Sequence, residues 1–139
     1  MRSYHVYSFV LAAGVGLLLA CSSGCGWDRG YNRYVPPEEA ARQALERALT
    51  AWQKGRSPGQ VDDGPPAVQV VDSRWQAGQK LNRYEIVKEE PGDNGTTFYS
   101  VRLTLQCPAQ EQVVRYVVVG RDPLWVYREE DFTQQTKGM

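Results

Sequence analysis

The sequence predicts an α+β fold: one amphipathic helix packed on a curved antiparallel sheet of about five strands. Three observations predict it. One stretch, Pro36 to Gly55, carries apolar residues at helical spacing. The segments after it have the length and the alternating or continuous apolar character of strands. Short turn-forming sequences separate them, and hairpin connections make neighbouring strands antiparallel. Composition agrees with one small domain: of 139 residues, 42% are hydrophobic and 23% charged.

The helix comes first. Pro37 suits the first helical position, and Glu38 and Glu39 favour its positive end. Ala41, Leu45, Ala48, Leu49 and Trp52 fall on one face, while Arg42, Glu46, Arg47 and Gln53 occupy the rest. Gly55 stops it. Arg56 to Pro66, rich in Gly, Pro and Asp, reads as a loop. Ala67 to Ser73 and Leu81 to Glu89 read as strands, with a bend at Trp75 and Gly78 between them. Pro91 to Gly95 is a turn, because Asn-Gly tolerates positive φ. From Thr97 to Gln106, Tyr99, Val101, Leu103 and Leu105 share one face. Val113 to Val119 is apolar on both faces except at Arg115, the pattern of a central covered strand. Leu124 to Arg128 is the last strand, and residues 133–139 read as a disordered tail. The domain is expected over residues 37–132.

This order of elements resembles cystatin-like rolls, with NTF2-like rolls as the alternative. NTF2-like domains usually carry more N-terminal helix, which favours the cystatin-like version. Protease-inhibiting cystatins carry a Q-x-V-x-G hairpin and a Pro-Trp hairpin. Here Gln69 to Ser73 has Ser for the Gly, and Leu124 separates Pro123 from Trp125. Both departures argue against protease inhibition.

Residues 1–20 read as an export signal. Val6 to Ala20 is a 15-residue run without charge. As a helix it spans roughly 22 Å, short of the ~30 Å hydrocarbon core. At its end Leu18-Leu19-Ala20-Cys21 resembles the lipobox of bacterial lipoprotein precursors. The resemblance implies that Cys21 receives a diacylglyceryl group, that cleavage precedes it, and that several acyl chains anchor the protein firmly. It also implies a cell-envelope address, at the outer membrane where a bacterium has two. Ordinary cleavage also fits, since Ala20-Cys21-Ser22 has small residues at the required positions, and would release the protein to the periplasm. Residues 21–36 then form a tether with a reach of about 20–23 Å. Its Trp27 and Tyr31, with Tyr34, suit either lipid headgroups or the domain surface.

Chemistry is sparse. Lys and Arg number 16, as do Asp and Glu, so the chain lacks the basic footprint of a nucleic-acid binder. The only histidine, His5, lies in the expected signal, which removes histidine-based triads and zinc sites from the mature chain. No metal-ligand spacing and no cofactor motif occurs. The carboxylate pairs Asp62-Asp63, Glu89-Glu90 and Glu129-Glu130 lie near turns or strand ends and read as solvated charge. Cys25 and Cys107 can pair in an exported compartment or stay apart. Trp75 and Trp125 read either as packed side chains or as an aromatic binding surface. An NTF2-like enzyme pocket would use Asp72 with Tyr84, Tyr99 or Tyr116. The expected function is therefore that of a membrane-anchored, non-enzymatic binding or scaffolding module with an envelope protein as partner. The alternative is a small enzyme or ligand-binding roll with an Asp/Tyr pocket.

Overall fold

A computed structural model describes residues 34–138. The signal, Cys21 and Cys25 lie outside the described residues, as do Trp27 and Tyr31. Helix α1 spans Glu38–Gln53. Strands β1 (Gly59–Asp62) and β2 (Val68–Val71) follow, then a short helix α2 (Ser73–Gln76). Strands β3 (Lys80–Pro91), β4 (Thr97–Gln106), β5 (Gln110–Gly120) and β6 (Leu124–Arg128) complete the sheet, and helix α3 (Glu129–Lys137) ends the fold.

The class is α+β, with details that differ from expectation. The sheet has six strands in the order β1-β2-β6-β5-β4-β3. The extra strand is β1, inside the stretch read as a loop. Gly59 there has φ +100, a value that favours glycine. The sheet is mixed, because β2 runs parallel to β6 with Val68 beside Leu124 and Val70 beside Val126. The chain crosses from β2 through α2 to the far edge and returns by three antiparallel strands, so β6 arrives beside β2 in the same direction. A parallel pair needs such a long excursion, and local turn signals do not reveal it.

Helix α1 packs against β1, β2, β3, β5 and β6. Its buried face includes four alanines, Ala41, Ala44, Ala48 and Ala51, with Leu45, Leu49 and Trp52. Small side chains let the helix lie close, and tyrosines from the sheet reach up to it. Tyr84 Oη sits 2.9 Å from Thr50 Oγ1, and the Tyr99 hydroxyl donates to the Glu38 carbonyl at 3.5 Å. Tyr99, Val101, Leu103 and Leu105 are all buried, as their alternation requires. Trp52 and Trp75 stack with centroids 5.3 Å apart, and each indole N–H donates to a backbone carbonyl, of Gln79 and Arg56 respectively.

The opposite face of the sheet is covered in part. Val117 and Tyr127, paired across β5 and β6, are buried there. Helix α3 packs on these two strands, and the Phe132 ring lies 5.4 Å from that of Tyr127. This explains why β5 is apolar on both faces around Val117, whereas Val113 on the same strand is 60% exposed and does not have the cover expected of it. The helix also corrects the tail: most of residues 133–139 belongs to α3, and the domain runs past residue 132. The outer strand β3 carries two bulges and exposed Arg83, Glu85 and Lys88, which discourage pairing with another chain.

Candidate functional site

Strand β2 delivers Asp72 to the N-cap of α2, inside the core. Asp72 is fully buried, at 0% exposure. Its Oδ1 accepts from the backbone N–H of Arg74 at 3.0 Å and of Trp75 at 3.2 Å. The same oxygen accepts from Arg128 Nε at 2.8 Å. Its Oδ2 accepts the hydroxyl proton of Tyr116 at 2.7 Å. Tyr116 and Arg128 are register partners on β5 and β6, and both are buried. Asp72, Tyr116 and Arg128 therefore form one buried network.

The electrostatics favour its present charge state. Burial pushes the Tyr116 hydroxyl well above its usual range, and the neighbouring Asp72 charge pushes it further. Burial opposes the Arg128 charge, but the Tyr116 and Asp72 oxygens outweigh that and hold its pKa above the ordinary value. The network holds an ionic pair bridged to a neutral phenol. A carboxylate with both oxygens engaged this way is fixed as an acceptor and is a poor general base.

Of the tyrosines considered beside Asp72, the fold brings only Tyr116 to it. Tyr84 bonds Thr50, and Tyr99 points toward Glu38. Arg128 was not singled out by the sequence. The signal was present: in β6 it is in phase with the core residues Leu124 and Val126, so an arginine occupies an inward position.

The remaining candidates separate. Trp75 is 5% exposed and stacked on Trp52 in the core, with only its edge at the surface. Trp125 is half-buried on the face opposite α1, stacked on Tyr127 at 6.0 Å. Gln69 and Trp125 are register partners inside the sheet, not residues at hairpin tips. Cys107 is exposed at the β4–β5 turn and forms no disulfide among the described residues. Glu129-Glu130, read as a strand end, forms the first turn of α3 together with Asp131. Among the described residues no cluster of three or more metal-ligating side chains occurs.

Three open grooves lie near these residues. One of about 480 Å³ lies between α1 and β1, lined by Arg47, Lys54, Arg56, Asp62 and Tyr84 among others. A second, of about 680 Å³, borders the Trp52–Trp75 stack. A third, of about 340 Å³, is lined by Arg74, Gln112, Val113, Val114, Arg128 and Glu130. None of the three is lined by Asp72 or Tyr116. Comparison with protein-family models, with curated proteins and with solved structures finds no match.

Proposed function

We propose that this protein is a membrane-anchored envelope lipoprotein whose domain acts as a non-enzymatic binding or scaffolding module. The observation that carries the non-enzymatic part is the closure of Asp72. The acid and the phenol of the Asp/Tyr pair are bonded to each other, the acid also to Arg128, and all three are buried. The lipobox at Leu18 to Cys21 supports the anchor. A cystatin-like arrangement, one long helix on a sheet, is the closer description by helix content. The juxtaposition of Asp72 and Tyr116 favours the second reading, an NTF2-like roll that binds a ligand, but only if the cluster opens.

Intact mass of the native membrane-bound protein tests the anchor. The expected species begins at Cys21 and carries added acyl mass. A mature chain starting at Cys21 without that mass would refute lipidation. Crosslinking in intact cells tests the binding role, with an envelope protein as the expected product.

A further inference from the structure

The Arg128 guanidinium is incompletely bonded. Its Nε is held by Asp72 Oδ1, but Asp72 Oδ2 is turned to Tyr116 and does not complete a two-point fork. Arg128 Nη2 is buried with no hydrogen-bond partner, in a residue only 2% exposed. An unmet buried donor on a charged group is costly, so its neighbourhood matters. Arg128 forms part of the wall of the groove of about 340 Å³, together with exposed Arg74 and Glu130 and half-buried Gln112.

We propose that this groove binds the carboxylate of a small organic acid, with Arg128 Nη2 and Arg74 as its cationic donors. Planar guanidinium groups match a carboxylate in geometry and charge. The groove is mostly polar, and Val113 and Val114 of β5 complete its lining, so a small, charged ligand fits it better than an apolar one. Nη2 is screened from solvent, so a ligand bonds it only after side chains lining the groove move. Glu130 carries the same charge as the ligand and competes for the same cations. Its charge is felt at Arg128. The site goes beyond the anchored binding role and does not depend on lipidation.

Titration of the full-length chain with succinate, followed by NMR of the arginine Nε–H signals, tests the proposal. Sodium phosphate and methylammonium chloride serve as controls. Saturable shifts at Arg128 and Arg74 are expected with succinate alone. Arg74→Ala, at an exposed position, should fold normally and weaken binding about tenfold. Glu130→Gln should tighten it several-fold. Unsaturated shifts that match those of the phosphate control would show an ionic-strength effect and overturn the site. Saturable phosphate binding as tight as succinate would overturn the carboxylate assignment. Unchanged affinity in Arg74→Ala would overturn the assigned donor set.

Discussion

Asp72 is the residue on which most local structure converges. It caps α2 through two backbone N–H groups, neutralises Arg128 and accepts from Tyr116. Asp72→Ala removes all four interactions and leaves a buried guanidinium without its counter-charge. The expected cost is about 3–5 kcal/mol, read from urea denaturation midpoints. Glu130→Ala, at an exposed position, serves as the comparison and should shift stability by no more than about 0.5 kcal/mol. Equal effects of the two would show that the buried network contributes nothing special. The sequence displayed Asp72 as a short polar residue ahead of a bend, which suits a cap. It offered Tyr116, 44 positions away, only as one of three tyrosines and did not display Arg128, 56 positions away.

At the scale of elements, α3 is the informative case. Its sequence, Glu129 to Lys137, has little apolar content, so Glu129-Glu130 reads as a strand end and residues 133–139 as a tail. Tertiary contacts hold it. Glu129 accepts from Arg115 Nη1 at 2.9 Å, and Arg115 also lies over the Phe98 ring. Asp131 accepts the backbone N–H of Ser73 at 2.8 Å. Phe132 covers Tyr127. A chain ending at Arg128 loses these contacts and uncovers Val117 and Tyr127. It should be destabilised by about 3 kcal/mol, the scale of exposing one to two large apolar side chains. An unchanged denaturation midpoint would show that α3 only decorates the domain. The short strand β1 was missed for a related reason. Its stability comes from pairing with β2, where Gly59 faces Val70, and not from its own composition.

For the molecule as a whole, the buried tyrosines set an alkaline limit. Burial pushes Tyr99 up to about 12, with Glu89 and Glu38 adding to the effect, and it raises Tyr127 as well. Tyr116 lies well above its usual value. Each group titrates higher in the folded chain than in the unfolded one. Their stabilising contribution is complete below the unfolded value near 10. It is lost as pH rises through the folded values, because the unfolded chain releases protons first. Denaturation midpoints should therefore hold to about pH 9 and fall steeply by about pH 11, with the fall reduced in Tyr99→Phe. A flat profile across that interval would contradict the buried, neutral state of these phenols. Salt should matter less, since most ion pairs are on the surface and weak, with Arg128–Asp72 the buried exception.

The sequence by itself determined the class, the long helix and its buried face, and the phase of β4. Each follows from the periodicity of apolar residues, which is local information. Only the tertiary structure decided the mixed strand order, the role of α3, the burial of Trp75 and the network of Asp72, Tyr116 and Arg128. Each depends on which distant residues meet. A lone arginine or aspartate in a sequence reports its charge and not its partner. The partner is chosen by the crossover that sets β6 beside β2 and brings the end of β6 to the cap of α2.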